Sequence, residues 1–178
     1  MRKVVLTFGL IAGAVLSGMM LLTVPFQDQI GFDRGAIIGY TSMVLAFLMV
    51  YFGVQSYRDQ VAGGAVSFGR AFKVGILITA VASVCYVATW QLVYYRLSPD
   101  FLEKYSAHTI AKARESGETE AEIAARARDM TKFGEMYKNP LVNVALTFLE
   151  PLPIGLLFTV VTAGALSRKP RRATSATS

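Results

Sequence analysis

Charge is scarce in this sequence, and so are the residues that most often carry chemistry. Of 178 residues only 17% are Asp, Glu, Lys or Arg, against 53% hydrophobic, and cysteine, histidine and tryptophan occur once each. An ordinary soluble domain has roughly a quarter of its residues charged, so the soluble class is the first to be set aside.

The single cysteine, Cys85, excludes an internal disulfide framework, and no Cys/His spacing matches a zinc site. With no activating base or second thiol nearby, Cys85 reads as a small buried filler rather than a redox centre. His108 has no partner fixed by local spacing and reads as a surface or packing residue rather than a ligand or a catalyst. The glycines form neither GxxxxGK[ST] nor a GxGxxG after a strand, which removes the common phosphate loops. No nucleophile and base pair up, so no catalytic, cofactor-binding or metal-ligating residue is expected, and neither is an enzyme or a cofactor. The net charge of +6 is not a nucleic-acid signature. Arg168, Lys169, Arg171 and Arg172 follow directly on the last apolar run, where topology and anionic headgroups explain a basic cluster better.

What the chain does have is long apolar runs. A helix crossing a hydrocarbon core of roughly 30 Å needs about 20 mostly apolar residues. Val4–Val24, Gly35–Val54, Val74–Tyr95 and Leu141–Leu166 meet that requirement, and only the last contains a formal charge, Glu150. The lipid bilayer is therefore the first expected partner. Met1-Arg2-Lys3 and the run behind it could also begin a secretory signal. The run is longer than a usual signal core and lacks a small-x-small site before Pro25, so an uncleaved first span is expected.

Lys and Arg divide evenly between alternate loops, but on one side they are packed close to the span ends: Arg2 and Lys3, then Arg58, Arg70 and Lys73, then the basic tail. That packing predicts both chain ends in the cytoplasm. Trp90, Tyr94 and Tyr95 would mark the outer end of the third span, where an apolar ring meets water. Residues 96–140 form an external segment that reads as two helices. Ser98-Pro99-Asp100 predicts a capped start with Pro at the first helical position, Ser116-Gly117 a stop, and Thr119 with Glu122 a capping box for the second helix. Ile123, Ala127, Met130 and Tyr137, flanked by Phe133 and Met136, give that helix an apolar face. Its cover would be the first hairpin helix, the membrane surface or a partner protein.

The loop YRDQVAGGAVSFGRAFKVG, Tyr57 to Gly75, has a flexible Gly63-Gly64 turn and Ser67 placed to cap the next helix. Arg58, Asp59 and Arg70 make it a candidate cytoplasmic site for a headgroup or ligand, beside the plainer reading as an anchored re-entry turn. YFGVQSYRD, then GGAVSFGRAFKVGILIT, and later LEPLPIGLL before the basic tail resemble a bacterial family of four-span inner-membrane proteins catalogued as domain of unknown function 4199. The resemblance covers nearly the whole chain to about Leu166 and implies a four-helix membrane fold and a bacterial origin. It implies no substrate, partner or catalytic residue.

A carboxylate at membrane depth is costly and is usually neutral, paired or facing water. Pro151 and Pro153 cannot donate to the carbonyls of Thr147 and Leu149, so a kink is expected at Glu150, with the freed backbone turned into the bundle. Asn143, Thr147 and Glu150 form one polar stripe, and Thr79, Ser83, Tyr86 and Trp90 another on the third span. Equal depth predicts that Glu150 meets Tyr86, with Ser83 or Trp90 as other donors. One reading makes this cluster a neutral lock between helices. The other makes Glu150 a proton or cation site in a translocation path, with the kink as its moving part. A dry, packed cluster would favour the lock, and a polar, water-sized path to Glu150 the carrier. Gly9, Gly13 and Ser17 form a small-residue ridge for a neighbouring helix in this chain or in a second copy.

The expected fold is an all-α integral membrane four-helix bundle with an extramembrane helical hairpin between spans 3 and 4. It would form one domain over residues 1–172, with a disordered end at 173–178. The expected function is non-enzymatic, through association with a second copy, lipid or a membrane-protein partner and not nucleic acid. The alternative is a small carrier or channel centred on Glu150.

Overall fold

The computed structural model describes residues 1–167. The basic cluster from Arg168 to Arg172 and the end expected to be disordered lie outside the described residues. Four helical runs among the described residues, Arg2–Ile30, Phe32–Gln60, Phe68–Leu97 and Pro140–Leu166, are long and apolar enough to cross a membrane. Each outlasts the apolar run that predicted it, because helix geometry continues into the polar flanks.

The first run is helix α1 (Arg2–Thr23) with a tight turn at Val24–Phe26 and the short α2 (Gln27–Ile30). After Gly31, whose φ of 83° no L side chain adopts comfortably, comes α3 (Phe32–Gln60). A short turn leads to α4 (Phe68–Leu92), so most of the expected Tyr57–Gly75 loop is helix. Gly63 and Gly64 supply the turn with φ of 69° and 86°. Ser67 stands at the N-cap of α4, but its side chain makes no capping bond, a correction to the expected cap.

The third run ends in a wide π turn over Val93–Leu97, where Ser98 N–H donates to Val93 O at 2.8 Å. Ser98 thus belongs to the close of the π turn, and the helix that follows takes a later N-cap. Helix α5 (Phe101–Glu115) accordingly starts later than Ser98-Pro99 predicts, with Asp100 as its N-cap residue. Gly117, at φ 75°, follows its end. Helix α6 (Glu120–Tyr137) opens on the predicted capping box: Thr119 N–H donates to Glu122 Oε2 at 2.8 Å, and Glu122 N–H to Thr119 Oγ1 at 3.4 Å. The last run is broken into α7 (Pro140–Leu149) and α8 (Leu152–Leu166).

Helix α4 is the hub of the bundle, packing on α1, α3, α7 and α8. Phe47, Val50, Val54, Val74 and Ile78 are fully buried between α3 and α4, while Leu10, Leu22, Leu45, Phe52, Val84 and Leu157 point outward. Helices without polar faces turned outward suit hydrocarbon and not water. The α1 ridge is used within the chain. A Cβ on Gly13 would lie 2.6 Å from Cys85 Cβ and one on Gly9 2.7 Å from Val81 Cβ, so these backbones meet only because the side chains are missing. Thr89 Oγ1 donates to Ser17 Oγ at 2.7 Å and closes the same seam. Lower in the bundle Thr79 Oγ1 lies 3.4 Å from Thr159 Oγ1 and donates to Gly155 O at 3.4 Å, with both threonines fully buried.

Much of the hairpin's apolar face is covered by its own chain, although Met136 stays exposed. Tyr137 and Phe133 of α6 pack with Met20, Trp90, Val93, Phe101 and Leu146. From α5, Lys104 Nζ reaches Asp28 Oδ2 at 2.6 Å and Lys112 Nζ reaches Asp33 Oδ1 at 2.7 Å, while Phe32 stacks on His108 with centroids 5.1 Å apart. The hairpin is thus held over the link between the first two spans.

Candidate functional site: a carboxyl in a lined cavity

The fourth span breaks where its sequence removes donors. Glu150 N–H still donates to Leu146 O at 3.2 Å, and the regular ladder resumes with Gly155 N–H to Pro151 O at 3.0 Å. Between them the prolines leave a joint. Above the joint α7 packs on α4 and α6; below it α8 packs on α4 and α3. Beside the joint, the end of α1, the first half of α3, α4 and the hairpin enclose a cavity of about 320 Å³ that Glu150 reaches from the break.

Glu150 lines this cavity, and Tyr86 Oη donates to its Oε2 at 2.9 Å. The carboxyl is open by surface area, and that openness is consistent with its place on the cavity wall rather than inside packed protein. Leu16, Met20, Tyr40, Met43 and Trp90 form much of the surrounding wall, and Phe101, Tyr105, Phe133 and Tyr137 of the hairpin contribute toward its end of the bundle. Among the described residues Glu150 is the only charged side chain in the lining. Chemically, the arrangement offers a mostly apolar, partly open cavity with one acid, several aromatic side chains and a phenol bonded to the acid.

The other residues of the predicted polar cluster are placed elsewhere. Thr147 is buried and shares a hydrogen bond of 3.1 Å with Tyr137 Oη. Asn143 is fully buried, its Oδ1 accepting from Gln91 Nε2 at 2.8 Å while its Nδ2 has no partner. Ser83 Oγ and Trp90 Nε1 are likewise buried without a hydrogen-bond partner, so neither is the alternative donor to Glu150. Asn143 and Thr147 therefore bind α7 to α4 and α6, and only Tyr86 reaches the acid. Sequence reasoning missed Gln91 and Tyr40, and it placed Tyr137 on the hairpin's apolar face without its bond to Thr147. Gln91 was a visible signal, a polar side chain inside an apolar run; the two tyrosines were not distinguishable from interfacial anchors.

At the opposite end of the bundle Arg58 and Asp59 pair with each other, Nε to Oδ1 at 2.6 Å and Nη2 to Oδ2 at 3.1 Å. Arg70 is exposed on the first turn of α4 and takes no part in that pair. No group of three or more His, Cys, Asp or Glu among the described residues is arranged to hold a metal ion.

Four apolar helical runs of spanning length, packed around α4 with a helical hairpin over one end, define a multi-pass membrane protein. The chain belongs to the family described as "Protein of unknown function (DUF4199)", whose model matches residues 7–168. No curated protein and no solved structure matches it.

Proposed function

We propose that the chain is a non-enzymatic protein of the bacterial inner membrane that binds and carries a small ligand at Glu150. The observation that carries this reading is the cavity at the carboxyl. An acid serving only to lock helices would sit in surroundings like those of Thr79 and Thr159, closed and filled. Glu150 instead faces open volume between helices, the setting in which membrane carboxyls exchange protons or cations. The proline joint beside it lets α7 and α8 move as separate pieces, which alternating access requires. Association with a second copy has less support, because the small-residue ridge of α1 is already filled by α4.

In this reading both chain ends and the Arg58–Arg70 turn face the cytoplasm and the hairpin lies outside. The dense Arg2-Lys3 and Arg70 to Lys73 segments at one end of the bundle support that orientation.

Reaction with an apolar carbodiimide tests the site. Addition of the protonated carboxyl across a C=N bond gives an O-acylisourea that rearranges to a stable N-acylurea, read by peptide mass. Dicyclohexylcarbodiimide in membranes is expected to modify Glu150. Reaction confined to other acids, with Glu150 untouched in folded protein, would contradict the proposal.

A further inference from the structure

We propose that the cavity takes a small organic cation with an apolar or aromatic body, held between Glu150 and the ring faces around it. This rests on the binding role proposed for Glu150 and names the ligand class.

The lining excludes the alternatives one by one. A hard divalent cation such as Mg²⁺ or Ca²⁺ takes about six or more oxygen ligands, usually with more than one carboxylate, and a single carboxylate with phenols, Thr23, Gln27 and Ser42 is a poor match for it. An anion would face Glu150 with no basic residue in the lining to answer it. A neutral apolar molecule would fit the walls but leave the acid unused. An alkylated ammonium has its charge spread and weakly hydrated, so it gives up less on leaving water, and ring faces attract it. Tyr40, Tyr86, Trp90, Tyr105, Phe133 and Tyr137 provide those faces, and the thioethers of Met19, Met20 and Met43 add polarisable, adaptable contact. A volume of about 320 Å³ is at the small end for ligand sites, which restricts the guest to about one ring or a short alkyl group.

Cation and proton compete for one carboxylate. When Glu150 is protonated, the incoming cation takes the proton's place: the O–H bond breaks, one proton leaves, and the ion pair forms with no change in net charge at the site. The other titratable groups facing it are the phenols of Tyr40 from α3, Tyr86 from α4, Tyr105 from α5 and Tyr137 from α6; α1 contributes none. His108 stacks on the far side of the lining residue Phe32, beside Asp33, outside the chamber wall. Phenols as a class ionise far above neutral pH, which leaves Glu150 as the group whose protonation governs binding below it.

The chain carries one tryptophan, and Trp90 is in the cavity wall, so its emission reports occupancy directly. The experiment uses the full chain in lipid nanodiscs with two probes of the same shape, benzyltrimethylammonium and its neutral carbon isostere neopentylbenzene. The cation is expected to shift Trp90 emission saturably at pH 8 and to bind progressively more weakly as the pH is lowered far enough to protonate Glu150, while the isostere is indifferent to pH. Glu150→Gln is expected to weaken the cation by about tenfold and spare the isostere. Should that variant fold poorly, the pH dependence of the unaltered chain decides alone. Equal binding of both probes at every pH would overturn the ligand class while leaving carbodiimide reaction at Glu150 intact. Failure of both probes to saturate would also overturn it, and joined to absence of that reaction would remove the binding role as well.

Discussion

Tyr86 Oη and Glu150 Oε2, 64 positions apart in sequence, are joined by a hydrogen bond of 2.9 Å that links α4 to the joint in the fourth span. The bond stands at a cavity, so water can substitute for the phenol when it is removed. Tyr86→Phe is therefore expected to lower stability by about 0.5–1.5 kcal/mol, the range for one exchangeable hydrogen bond. Thermal unfolding in detergent checks this, and a much larger loss would mean that the pair is a sealed structural lock.

The α1–α4 seam depends on missing side chains at defined positions. Gly13→Leu forces atoms into the space of Cys85 and is expected to cost about 1–3 kcal/mol by overpacking. Gly18→Leu on the same helix meets nothing within 4 Å and is expected to be neutral or mildly stabilising. Denaturant titration of the two variants separates contact at the ridge from a general intolerance of α1.

The prolines interrupt the fourth span at Glu150, so restoring their donors should straighten it. The double variant Pro151→Ala, Pro153→Ala is expected to realign α7 with α8 and shift Glu150 on the cavity wall. Spin labels at the exposed positions Ile37 and Val144 should change their separation in pulsed dipolar spectra. An unchanged distance would mean that packing on α4 and α6, and not the missing donors, sets the break.

Outside the membrane, Glu122 has its carboxyl held below the usual range, first by the Thr119 backbone N–H and then by the Thr119 hydroxyl. A depressed carboxyl stabilises the fold fully above its unfolded value, ordinarily 4.5, and loses that contribution as pH falls through the lower folded value. The start of α6 should therefore fray on acidification below about pH 4.5. Amide shifts of Thr119 to Ile123 report this, and Thr119→Ala should weaken the acid-dependent change.

How much of this was legible beforehand follows from the range of each signal. The spans are continuous apolar runs, and the Thr119–Glu122 box and the α1 ridge are patterns spaced three or four residues apart, so all were readable directly. The meeting of Glu150 with Tyr86 followed from equal depth on neighbouring antiparallel helices. Ser98 misled because the third run continues through a π turn to Leu97 and the next helix opens only after Asp100, and no composition signal announces that turn. The partition of Asn143 and Thr147 away from Glu150 depends on Gln91 and Tyr137 arriving from other elements. The cavity was least visible of all, since an unfilled volume is a property of how α1, α3, α4 and the hairpin fail to meet. No single one of those segments encodes it.

Infrared difference spectroscopy on Glu150 tests the central claim most directly, because only a reachable acid can exchange its proton. In reconstituted protein a protonated-carboxyl band that is absent from Glu150→Gln should appear and disappear reversibly with bulk pH, and benzyltrimethylammonium should suppress it. A band at that position indifferent to both pH and cation, or no band separating the two proteins at any pH, would contradict a carboxyl that trades its proton inside the cavity.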